Sequence, residues 1–102
     1  KGDQMPQSFF KAIADPNRRK ILTLLRREGT LSAGDLAKHF EISLPGLSEH
    51  LKVLREAGLV SSRKEKQFVY YTLNTTVFED VIGWFTEVFS KKEVKDGTTE
   101  KV

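Results

Sequence analysis

The side chains able to do chemistry in this 102-residue sequence fall in a few short stretches. Cysteine is absent, which excludes thiolate catalysis, disulfides and thiolate metal sites together. His39 and His50 stand on different segments, neither with a carboxylate or second histidine at ligand spacing, so no metal site is expected. No glycine-rich loop follows a strand and no paired-carboxylate motif is present, which argues against an enzyme. Three polar sets remain. They are Ser43, Ser48, Glu49, His50 and Lys52; the basic triplet Arg18, Arg19 and Lys20; and Arg63, Lys64 and Lys66. These residue types hydrogen-bond and hold anions, which is binding chemistry.

The elements that must position them are well punctuated. Phe9, Phe10 and Ile13 give one apolar side to a short helix from Met5 to Ala14, and Asp15-Pro16 caps and starts the next, which runs through Ile21, Leu22, Leu24 and Leu25 to Glu28. Ser32 caps a third helix, with Asp35 placed as in a capping box and Leu31 and Leu36 as a hydrophobic staple; its inner side is Ala33, Leu36, Ala37 and Phe40. Ser43 caps a fourth helix, about 44–57, with Leu44, Leu47, Leu51 and Leu54 on one side and Gly58 at its end. Residues 59–63 and 67–73 form a β-hairpin around the charged turn Lys64-Glu65-Lys66.

A last helix from Thr75 carries two adjacent apolar stripes, Val77, Val81, Trp84, Val88 and Phe78, Ile82, Phe85, Phe89. One stripe suffices to close a core this small, so the second implies a partner surface. Together with the first helix, this nominates Phe9, Phe10, Ile13, Val81, Trp84, Phe85, Val88 and Phe89 as a dimer interface. The length fits one domain, placed at residues 5–91, with 1–4 expected to be a tag remnant and 92–102 a flexible polar tail. No apolar run approaches a membrane span and no leader is legible, which points to the cytoplasm. Net charge is only +3, but residues 1–73 carry thirteen Lys/Arg against eight Asp/Glu whereas 74–102 carry four against six. The basic excess therefore sits with the helices and hairpin, a weak indication of an anionic partner.

Four helices, a hairpin and a closing helix, with the third and fourth meeting across a tight turn, is the order of a mainly α winged helix-turn-helix domain with a β-hairpin wing. The segments FKAIADPNRRKIL at 10–22, Leu36-Ala37, SLPGLS at 43–48, HLKVLREAGLV at 50–60 and YYTL at 70–73 resemble the ArsR-type family of bacterial repressors. Within it, the continuation Asn74-Thr75-Thr76 and the lack of cysteines are most similar to the SdpR-like autorepressors. The resemblance implies a homodimer built from the first and last helices, a double-stranded DNA operator near a promoter, release by an inducer and, for SdpR-like members, a membrane protein that sequesters the repressor. It also places the family's metal-ligand positions on Ser32, Gly34, Thr75, Val77, Val88 and Lys91, none of which suits a transition metal.

For such a domain the fourth helix enters the major groove and its outer side reads base edges while basic groups hold phosphates. Ser43, Leu44, Pro45, Gly46, Ser48, Glu49, His50 and Lys52 are the candidate DNA-binding residues there, joined by Arg63, Lys64 and Lys66 on the wing and Arg18 at the second helix. Ser48 can donate or accept, Glu49 can accept from a cytosine amino group, Lys52 suits a phosphate and Gly46 leaves room for the duplex. Leu44 and Glu49 depart from the family, which often has a polar residue and a histidine there, and the wing turn lacks the family's frequent glycine. A solvated Glu49, a merely soluble hairpin tip and an internal ion pair for Arg18 are the plain alternatives. A winged helix used only for protein contacts is the rival reading of the whole chain.

Overall fold

The computed structural model describes residues 7–90, so the expected tag remnant, the polar tail, Met5 and Lys91 lie outside the described residues. Within them the order is α1 (Gln7–Ile13), α2 (Pro16–Glu28), β1 (Leu31–Ser32), α3 (Ala33–Ala37), α4 (Leu44–Glu56), β2 (Val60–Glu65), β3 (Phe68–Leu73) and α5 (Thr76–Phe89). The expected two-stranded hairpin is thus the larger part of a three-stranded antiparallel sheet in the order β1-β3-β2. β1 pairs Leu31 with Tyr71 and Ser32 with Tyr70, and Thr30 and Thr72 share a hydroxyl hydrogen bond of 2.9 Å beside it. This strand is pulled straight by its partner, because two residues cannot display an alternation of their own.

The caps form as their side chains dictate. Asp15 Oδ1 accepts from the backbone amides of Asn17 at 2.7 Å and Arg18 at 3.2 Å, and Pro16 begins the helix without wasting a donor. Ser32 Oγ accepts from the Asp35 amide at 3.0 Å, and Ser43 Oγ from the Gly46 amide at 3.1 Å. The reciprocal hydrogen bond from Ser32 to the Asp35 carboxylate, helped by Lys38, holds that carboxyl below the usual aspartate range against the opposing effect of burial. Helix α3 is shorter than its apolar pattern suggests: only Leu36 is fully buried, and Ala33, Ala37 and Phe40 line the edge of the core.

One core joins every layer. Ile21, Leu24 and Leu25 of α2, Leu36 of α3, Leu47, Leu51 and Leu54 of α4, Leu59, and Tyr71 of β3 are buried together, closed at one end by Phe9, Ala12 and Val81. Each large aliphatic so buried contributes about 1.5–3 kcal/mol. Gly58 breaks α4 at φ +78, and a Cβ there would meet Val77 Cγ2 at 3.3 Å, so the turn into the wing needs glycine for both backbone and space.

The wing is longer than expected. Lys64 and Glu65 pair with Val69 and Phe68, leaving a two-residue turn, Lys66-Gln67, with Lys66 at φ +59. A two-residue hairpin needs a left-handed residue to match strand twist, and without glycine the lysine takes it.

Candidate nucleic-acid interface

Helix α4 is amphipathic with its seam at Leu47, Leu51 and Leu54, whose side chains are buried. Ser43, Pro45, Ser48, Glu49 and Lys52 are exposed, as the sequence predicts. Leu44 is not part of the seam: it leaves 67% of its surface in solvent. At about 100° per residue it lies roughly 60° from Leu47, on the flank of the helix in its first turn. Leu44, Ser48 and Lys52 follow one another at four-residue intervals, and Arg55, which the sequence reading left out, extends the same row. The signal for Arg55 is its spacing of seven from Ser48.

Two other residues assigned to this surface serve the helix instead. Gly46 is only partly exposed, and an added Cβ would sit 3.1 Å from Ser43 Oγ, so its missing side chain makes room for the cap. His50 turns away from the outer side towards α1 and α2, its side chain 18% exposed. Arg18 Nη1 lies 3.1 Å from His50 Nδ1, and since a guanidinium only donates, Nδ1 must be the acceptor and the imidazole proton must sit on Nε2. That nitrogen faces Asp15 Oδ1 at 4.0 Å. The remaining Arg18 nitrogens donate to the end of α1, Nε to the Ala12 carbonyl at 2.7 Å and Nη2 to that of Lys11 at 3.0 Å.

Arg18 is therefore a brace across α1, α2 and α4. Its neighbours behave alike: Arg19 donates to the Ile13 carbonyl at 2.7 Å, and Lys20 to that of His39 at 2.6 Å while its ammonium rests over the Phe40 ring. Main-chain carbonyls, neither DNA phosphates nor the carboxylates of the alternative ion pair, are the chief acceptors of these cations within the protomer. For Asp15, burial resists ionisation, but the amide hydrogen bonds of Arg18 and Asn17, with the His50 ring and the Arg18 guanidinium nearby, prevail and hold its carboxyl below the usual range.

On the wing, Lys66 stands at the tip and Lys64 two residues behind it. Arg63 belongs to the shaft, opposite Tyr70, with its guanidinium over that ring at 5.2 Å and 3.6 Å from Glu65. The outer sides of α1 and α5 are apolar. Phe10, Ile82, Phe85, Val88 and Phe89 are exposed, Trp84 and Ile13 half so, and Phe85 stacks on Phe89 at 6.1 Å. Phe9 and Val81, assigned to the same face, are instead buried within the protomer, Phe9 edge-on to Phe78 at 5.8 Å. Ile82 takes their place on the exposed side. Among the described residues no group of three metal-ligating side chains converges, and no helix is long and apolar enough to cross a membrane.

A family model described as a helix-turn-helix domain matches residues 13–63, from the end of α1 through α4 into the wing. The transcriptional repressor SdpR of Bacillus subtilis is 51% identical over 84 residues, spanning 82% of this chain and 92% of SdpR. The chain belongs to the ArsR family of winged helix-turn-helix transcriptional regulators. The transcriptional activator HlyU of Vibrio cholerae is 44% identical over 74 residues, covering 72% of this chain and 68% of its own. Among solved structures, an ArsR family transcriptional regulator superposes with a TM-score of 0.76 at 29% identity, over 94% of this chain and 98% of that one. In this ArsR family member, the matched region holds Arg18, the α4 row and the start of the wing, while the α5 face lies beyond it.

Proposed function

We propose that the protein is a transcriptional repressor that binds double-stranded DNA as a homodimer on an inverted-repeat operator, including one upstream of its own gene. The observation that carries this reading is the exposed row on α4, Leu44, Ser48, Lys52 and Arg55, on a helix whose other side is locked into the core. A helix so held, with hydrogen-bonding and cationic groups outward, fits a major groove and its phosphates. Glu49 beside the row accepts from a cytosine amino group. Lys64 and Lys66 on the wing reach phosphates flanking the groove, and the α1 and α5 apolar face supplies the two-fold contact that sets half-site spacing. Repression, rather than activation, follows the 51% identity to SdpR across 82% of this chain and 92% of SdpR. Neither the relatives' names nor the fold supports the sequestering membrane protein.

The test is footprinting of the DNA upstream of the protein's own gene, followed by titration of the protected duplex at increasing salt. Protection of an inverted repeat, affinity falling steeply with salt, and loss of binding in Ser48→Ala and Lys52→Ala variants that remain folded are expected. No protected site and a flat salt response would favour a winged helix that contacts proteins instead.

A further inference from the structure

Leucine is a poor choice for a solvated helix start, and no other residue of α4 combines so large an apolar side chain with such exposure. Leu44 is 67% exposed, whereas the other leucines of α4 are buried. Its side chain makes no contribution to the cap, which Ser43 completes through its own hydroxyl. Pro45 beside it is exposed too, so the leading turn presents hydrocarbon, followed along the row by Ser48 and Lys52. Of all the groups that line a major groove, one is hydrocarbon: the 5-methyl of thymine.

We infer that Leu44 is a specificity-determining residue that packs on a thymine 5-methyl group in each operator half-site. The inference rests on the DNA-binding reading above. The leucine offers neither donor nor acceptor, so it discriminates by burying the methyl group and by leaving polar base edges unpaired where thymine is replaced. Ser48 and Lys52 then lie along the same row toward the next base pair and the phosphates. A leucine here makes the first contact of the helix one of shape and hydrophobicity, and the hydrogen-bonded contacts begin one turn later.

The experiment replaces the thymines of the protected half-site by deoxyuridine, one at a time, which removes the methyl group and keeps the base pair. Binding is followed by fluorescence anisotropy for the wild-type protein and for Leu44→Ala, whose thermal unfolding is checked alongside. One position should weaken wild-type binding about fourfold per half-site, the size expected for one buried methyl-sized group. At that position Leu44→Ala should bind thymine and deoxyuridine duplexes equally. Leu44→Gln should shift the preference there toward adenine, which glutamine reads through N6 and N7. Wild-type binding indifferent to every deoxyuridine, or a penalty that survives in Leu44→Ala, overturns the inference while leaving DNA binding intact; binding to no duplex at all takes down both.

Discussion

Removing the Arg18 side chain separates two roles that this residue type could have at the start of α2. The structure gives its guanidinium three internal acceptors: Ala12 O at 2.7 Å, Lys11 O at 3.0 Å and His50 Nδ1 at 3.1 Å. A hydrogen bond from a charged donor contributes about 1.5–3 kcal/mol when shielded from water. The Lys11 bond is exposed and counts for little, and the other two are only part-buried, which brings Arg18→Ala to a loss of about 2–4 kcal/mol. Against the ~5–15 kcal/mol typical of a whole domain this is large. Arg18→Lys keeps the charge but cannot reach three separated acceptors from one nitrogen, so it should recover less than half of the loss. A double-mutant cycle of Arg18→Ala with His50→Ala should show coupling of about 0.5–1.5 kcal/mol, because the two side chains meet directly. Urea denaturation followed by circular dichroism measures all of these, with DNA affinity recorded in parallel. An Arg18→Ala protein of wild-type stability that binds DNA weakly would refute the brace and make Arg18 a phosphate contact.

Three further outcomes follow from other parts of the molecule. Phe85→Glu on the exposed α5 face should weaken self-association at least ~100-fold by leaving a carboxylate in each half of the apolar contact, and an unchanged mass in sedimentation equilibrium would remove the proposed interface. Lys66→Gly should raise stability by about 0.5–1 kcal/mol, since a left-handed lysine costs roughly 1–2 kcal/mol and glycine's extra unfolded freedom returns part of it; Lys66→Ala keeps the strain, so an equal gain there would contradict the cause. Asp15→Asn should cost stability at neutral pH, as the depressed carboxyl stabilises the fold above the ordinary value of 3.8 and loses that contribution as pH falls through its lower folded value. The two proteins should therefore converge in acid, and a gap that persists there would mean the cap, not the charge, was lost.

What was legible in the sequence is what depends on near neighbours. Asp15, Ser32 and Ser43 cap their helices through bonds two or three residues away, so residue type and local spacing locate them. The seam at Leu47, Leu51 and Leu54 is equally local, a matter of helical period. The Arg18–His50 contact spans thirty-two residues and has no periodic trace. β1 owes its extended form to Tyr70 and Tyr71 on a strand forty residues away. The wing turn sits at Lys66-Gln67 and not at residues 64–66 because a lysine accepts a left-handed backbone that sequence rules reserve for glycine.

The misplaced apolar residues follow from directions that a stripe of spacings leaves open. A helical wheel gives the direction in which a side chain points, but not which directions the neighbouring elements cover. Phe9 and Phe10 are about 100° apart on α1, so Phe9 turns into the core, edge-on to Phe78 of α5, while Phe10 faces out; on α5 Val81 is buried while Ile82 and Phe85 are exposed. Leu44, in the first turn of α4, stands about 60° from Leu47 on the flank of the seam and leaves most of its surface in solvent. Hydrocarbon is therefore exposed at both places, the leading turn of α4 and the outer side of α5. Its persistence at the two surfaces assigned to DNA and to a second protomer is the reason to look for an apolar partner at each: a thymine methyl group at the first, and the same α5 face of another copy at the second.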